Sequence, residues 1–490
     1  MTAEASNALR AAIAVTRFGL GARPGELADA TLDPQTWLKA QIRREGADQP
    51  AGALPDSRDR LMALVAYRDE VKTFKADAAA KPQPKAMTET APGGGMMADA
   101  PGRKRAVSTL LKAERRDTLR PLLEGVGDEI FARTVLAART DAPFRERWTL
   151  FWANHFTVSA VKVESAVLVG PFEREAIRPH IFGRFEDLLV ASSTHPGMLI
   201  YLDQARSAGS NSMAGRLRKM GLNENLAREI LELHTVGADS GYAQADVTEF
   251  ARALTGYSIG SEREPGPRQG RFLFRAPLHE PGARTVMGRT YAEGGEDQAR
   301  RIFADLAANP ATADHIARKL AIHFVANDPP PALVARLRSA YLSSHGDLAQ
   351  LADALITAPD AWDSGQRKFK TPNEFLVSSY RTVDAAPTQA ARDVIQPLTA
   401  LGQRPFNAAQ PNGWSEQASD WAAPDAVVKR LTWAARFAEA YTPQTTEPMQ
   451  VAQATLGARL TSPVAAAISR AETRPEAMTL LLMSPEFQRR

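Results

Sequence analysis

The sequence predicts a mainly α protein, a large multi-helix body with one short β-hairpin or irregular excursion near 258–290. Three observations carry this. Apolar residues recur at helical spacing along most of the chain. No strand–helix–strand alternation of the kind that builds a nucleotide fold is present. The 490 residues are 44% hydrophobic and 24% charged, enough for a sizeable core and more than one ordinary domain.

Taken in order, residues 1–75 read as helices, with a turn at Arg17-Phe18-Gly19-Leu20-Gly21 after the first. Residues 76–105 collect Pro82, Pro84, Pro92, Gly93, Gly94, Gly95 and Pro101 among Ala, Lys and Met, a composition that buries too little apolar surface to order itself. A mobile insertion is expected there. Residues 106–257 are helical again and hold the most distinctive motifs. In 258–295, Phe272 and Phe274 alternate with charged neighbours before Thr285-Val286-Met287-Gly288, a hairpin pattern. Helices resume over 296–490, interrupted by a Pro/Gly/Trp loop around Gln410-Pro411-Asn412-Gly413-Trp414.

Composition excludes several functions. With no cysteine, disulfides, thiolate metal sites and cysteine nucleophiles are ruled out. A net charge of +4 with no basic run beyond Arg103-Lys104-Arg105 argues against nucleic acid as a partner. Gly93-Gly94-Gly95 precedes no Lys-Ser/Thr and no helix start, so no nucleotide cofactor is indicated, and no Gly-x-Ser-x-Gly elbow is present. No apolar run is long enough for a transmembrane helix, and residues 1–21 lack the layout of a signal peptide. The default expectation is therefore a soluble cytoplasmic protein.

The chemistry-bearing residues are histidines, of which there are eight. In Arg147–Phe156, helical projection gathers Trp148, Phe151, Trp152 and His155 on one side. In Asn223–Gly237, His234 falls on the stripe of Leu226, Ala227, Ile230, Leu231 and Leu233, with Glu229 at its edge. His195 precedes Pro196 at a helix start, a good cap as well as a candidate ligand. No single helix supplies the three- or four-residue spacing of a metal chelate, so any site must be assembled between helices. The functional reading is a polar site of His155, His195, His234 and Glu229, with the three histidines as candidate metal ligands. The structural reading is buried histidines bonded to carbonyls or carboxylates.

Together, Phe151-Trp152-Ala153-Asn154-His155-Phe156, Gly221–Gly237 and Gly241–Tyr257 resemble the bacterial domain-of-unknown-function 1800 family. Arg17-Phe18-Gly19, Lys368-Phe369-Lys370-Thr371-Pro372 and Ser484-Pro485-Glu486-Phe487-Gln488 add to the match. The resemblance implies a largely helical protein with no established activity. It also implies a partner of the domain-of-unknown-function 1501 family, which resembles the alkaline phosphatase and sulfatase superfamily. That pairing suggests the periplasm or envelope as an alternative location, reached with the partner. Ala153 stands where many relatives have a further histidine, and Ala243 where many have an N-capping threonine. Two functions follow as expectations: an accessory protein docking an enzyme, or a hydrolase with an inter-helix His/Glu site, with or without metal.

Overall fold

The computed structural model describes residues 3–80, 101–218, 220–365, 367–388, 391–442 and 447–490. Most of the stretch 76–105, expected to be mobile, lies outside them.

The fold is mainly α. The helices that matter below are α1 (Ala3–Ile13), α2 (Ser57–Ala80), α3 (Pro101–Arg139), α4 (Pro143–His155), α5 (Asn225–Glu229), α6 (Gln244–Leu254), α7 (Pro310–Phe324), α8 (Pro372–Thr382) and α9 (Pro424–Tyr441). Strands are confined to two antiparallel hairpins. β1 (Tyr257–Ile259) pairs with β2 (Phe272–Phe274), and β3 (Arg284–Val286) with β4 (Arg289–Tyr291). The sequence points to one hairpin or an irregular excursion in this region; the structure forms two. The second closes through Met287 and Gly288, both at positive φ (48° and 77°), the backbone a two-residue hairpin turn needs.

Two apolar cores organise the body. One contains Phe18, Phe144, Trp148, Trp152, Ile230, Phe250, Phe303 and Phe324. The other contains Leu20, Phe375, Tyr380, Phe437, Leu481 and Phe487. Helix α4 belongs to the first through Trp148, and α8 to the second through Phe375, so polar groups bridging α4 and α8 lie along the seam between them.

Local sequence explains the element starts. Helix α7 begins on Asn309, whose side chain accepts from Ala311 N (2.9 Å), with Pro310 in the first helical position. Helix α8 begins with a full capping box: Thr371 Oγ1 accepts from Glu374 N (3.3 Å), and Glu374 Oε2 accepts from Thr371 N (2.8 Å). At α6 the side-chain cap lost with Ala243 is half replaced, because Asp246 Oδ2 accepts from Ala243 N (2.7 Å).

The helix carrying His234 departs from regular winding. After α5 the chain widens into a π-helical turn over Ile230–His234 and stops at Thr235. This turn moves later residues off the stripe that 100° per residue would draw. Leu226, Ala227, Ile230, Leu231 and His234 are buried as that stripe requires, whereas Leu233 is only partly buried.

Candidate functional site

Two helices face each other with matched stripes. On α4, Arg147, Phe151 and His155 recur every four residues; on α7, His315, Lys319 and His323 do the same. Ring contacts align them in opposite directions. Phe151 lies 5.3 Å from His323, His155 lies 6.3 Å from His315, and the Arg147 guanidinium sits 5.6 Å from the centre of Phe324.

At one end of this pairing is the carboxyl end of the π turn. His155 Nε2 donates to His234 O (3.1 Å), and His315 Nε2 donates to Leu233 O (3.1 Å). The last carbonyls of a helix lack intrahelical donors, and two imidazoles supply them. His155 and His234 are both buried, with ring centres 6.0 Å apart. Burial drives the His155 pKa well down, and lowers His234 to about 3 and His315 to about 4. All three are neutral at pH 7. Donation through Nε2 fixes the His155 tautomer and leaves Nδ1 a lone pair with no partner among the described residues.

At the other end is a buried ionic network. Glu374 takes Arg147 and, at 2.9 Å, Arg490 Nε. Glu416, from the loop before α9, takes His323 Nδ1 (2.6 Å) and Lys368 Nζ (2.9 Å), with Arg490 Nη2 at 3.8 Å. The cations have second anchors: Arg147 donates to Gly19 O (2.9 Å), Lys368 to Ile322 O (2.6 Å) and Arg490 to His323 O (2.5 Å). Lys368 and Arg490 thereby cap the carboxyl end of α7, where the helix dipole favours positive charge. Burial lowers the His323 pKa to about 4 despite Glu416, so it donates as a neutral ring. Both carboxyls are held well below their ordinary range against the opposing pull of burial, Glu374 chiefly by Arg147 and Glu416 chiefly by His323 and Lys368.

Between the two ends stands Lys319. Its amine makes no hydrogen bond or ion pair among the described residues. Burial lowers its pKa to about 8, offset only by the attraction of Glu416. It lines a cavity of about 460 Å³ together with Phe151, Asn154, His155, Ile322 and the 409–417 segment. A smaller cavity of about 120 Å³ lies against Arg147, His323 and Glu374. Asn154, Trp414, Ser415 and Glu416 border both cavities. The loop is clamped there, since Asn154 Nδ2 donates to Trp414 O (3.0 Å) and Asn154 Oδ1 accepts from Trp414 N (2.7 Å). Gly413 permits this approach: its φ is +81°, and a Cβ would stand 2.5 Å from Asn154 O.

Of the residues singled out in the sequence, the structure brings together His155 and His234. His195 stands in a separate cluster. Its Nδ1 accepts from Gly197 N (3.0 Å) as a helix cap, and its Nε2 donates to Glu175 (3.2 Å), which also holds Ser57 and Arg271. Glu229 is half-buried with its pKa raised by burial and by Glu232, and it makes no bond to an imidazole among the described residues. Among those residues, no group of three or more His, Asp or Glu is placed to hold a metal ion. His315, Lys319 and His323 were open to discovery from their four-residue spacing, and Glu374 from the Thr-Pro-x-Glu capping pattern. Glu416 and Arg490 carry no local signal.

These features define a mainly helical protein with a cationic, histidine-rich seam between two cores. The family described as "Protein of unknown function (DUF1800)" matches residues 13–489, and the chain belongs to that family. No curated protein and no solved structure matches it. Among the described residues no helix is long and apolar enough to cross a membrane.

Proposed function

We propose that this is an accessory binding protein that holds the oxyanion group of a small ligand (carboxylate, phosphate or sulfate) in the 460 Å³ cavity over Lys319. The observation that carries this reading is Lys319 itself, a lysine lining a ligand-sized cavity with no acidic partner within ion-pair distance among the described residues. Its surroundings agree. Arg147, Lys368, Arg490 and Lys319 are four cations against two carboxylates, Glu374 and Glu416. The end of α7 offsets roughly half a charge, which leaves the seam positive. Phe151 and Trp414 on the cavity wall suit an apolar body attached to the acid.

The partner enzyme belongs to this reading through the family resemblance. A protein akin to phosphatases and sulfatases releases an oxyanion of the kind this cavity would take. Titration calorimetry of the purified chain with phosphate, sulfate, acetate and benzoate tests the binding. Saturable uptake that Lys319→Met abolishes supports the reading, and no uptake of any of the four overturns it.

One observation favours a hydrolase as the second reading. The His155 tautomer is fixed by His234 O, and its unpartnered Nδ1 lies in a ring that borders the same cavity. Its strongly lowered pKa makes it a weak base at neutral pH, which ranks this reading second. Turnover of p-nitrophenyl phosphate or acetate that His155→Gln removes would reverse the order.

A further inference from the structure

We propose that Glu416 is an internal competitor of the acidic ligand, a carboxylate of the chain's own that occupies a ready-made anion seat and holds down the cavity's affinity for oxyanions. This rests on the oxyanion-binding reading and adds to it the residue that sets affinity.

The seat consists of His323 Nδ1 (2.6 Å from Glu416 Oε1), Lys368 Nζ (2.9 Å from Oε2) and Arg490 Nη2 (3.8 Å). Each donor is fixed independently of Glu416. His323 is part of α7 and packs at a tilt against Phe151, Lys368 is bonded to Ile322 O, and Arg490 is bonded to His323 O and ion-paired with Glu374. The seat would therefore keep its shape with another anion in it. An imidazole N–H, an ammonium and a guanidinium around one point recognise a carboxylate or another oxyanion.

Glu416 differs from the other members of the network in how it is held. It comes from a loop whose backbone is held at Trp414 and Gly413, two and three residues away, against Asn154. Its side chain is 23% exposed, whereas those of Lys368 and Arg490 are 2% and 1% exposed. It borders both cavities, so a ligand held at Lys319 meets the same carboxylate that Lys319 is drawn to. Like charges repel at that point. An incoming oxyanion either displaces Glu416 from its cations or binds beside it at an electrostatic cost.

The test is calorimetric titration of the full chain with inorganic phosphate and with acetate, comparing the natural protein with Glu416→Gln. Relief of repulsion from one nearby carboxylate should tighten binding about tenfold or more. Binding by the natural protein that Glu416→Gln leaves unchanged or weakens overturns this inference and leaves the oxyanion reading standing. Failure of both proteins to bind either anion overturns that reading, and the inference with it. If Glu416→Gln does not fold, Asn154→Ala decides, because it releases the loop at Trp414 without altering a charge. Tighter binding by Asn154→Ala supports the competitor role, and unchanged or weaker binding refutes it.

Discussion

Replacing Lys319 with methionine should stabilise the protein while destroying oxyanion binding. The two side chains have similar length and shape, so the change chiefly removes a charge. In the folded protein the ammonium is depressed from 10.5 to about 8 by burial. Complete burial would make that worth ~3 kcal/mol against the charged form. The side chain is only half-buried, and solvent in the cavity screens it, which leaves ~1–2 kcal/mol. The unfolded chain binds the proton more tightly, so between pH 8 and 10.5 the unfolded state carries more protons and stability climbs with pH. The penalty is fully present below pH 8 and is relieved above 10.5. Urea unfolding at pH 7 should therefore show Lys319→Met more stable by ~1–2 kcal/mol, with the advantage shrinking at pH 10. A variant less stable than the natural protein at pH 7, or a gain that ignores pH, refutes the reasoning.

Three further outcomes are expected. His155→Ala should fold but lose ~2–4 kcal/mol in urea, since it leaves the buried His234 carbonyl without its donor and opens a void among Phe151, Trp152 and Phe156; a loss below ~0.5 kcal/mol would count against the capping role. His155, His234, His315 and His323 all have lowered pKa values, so the unfolded chain takes up protons first and stability falls as pH drops below 6.5, by up to ~1.4 kcal/mol per histidine per pH unit until about pH 4. Unfolding free energies that stay flat from pH 7 to 5 would contradict that burial. Gly413→Ala should cost ~1–3 kcal/mol, because it combines a positive φ with a Cβ driven onto Asn154; thermal melts matching the natural protein would show the loop free to move aside.

Periodicity showed the helices because burial follows period where packing is regular. It placed Trp148, Trp152, Leu226 and Ile230 inside, and His155 and His234 with them. It failed at Leu233, where a π turn inserts an offset that no local residue announces. It also treated His195 as a candidate site member, whereas its flanking Pro196 signalled the capping role the structure gives it. The stripe His315, Lys319 and His323 was as periodic as any, yet weighing histidines by their apolar neighbours passed over it. The seam is less legible for a different reason. Glu374, Glu416 and Arg490 meet there from three separate parts of the chain, and that meeting is a property of the tertiary fold alone.

How the seam's cations are held explains why it carries usable charge. Arg178, elsewhere in the fold, is gripped by Glu146 and Glu173 together, and those carboxylates raise its pKa and cancel its field. Arg147, Lys368 and Arg490 instead share two carboxylates, and each also donates to a backbone carbonyl. A carbonyl accepts from an N–H without neutralising it, so these bonds leave the net charge in place. Buried cations held in this way stabilise the fold less than apolar packing of the same volume would. They also need no rearrangement to receive an anion. Donors held in place by backbone carbonyls, a lysine with no ion-pair partner among the described residues and a glutamate on a clamped loop are the features on which the proposed capture of an oxyanion rests.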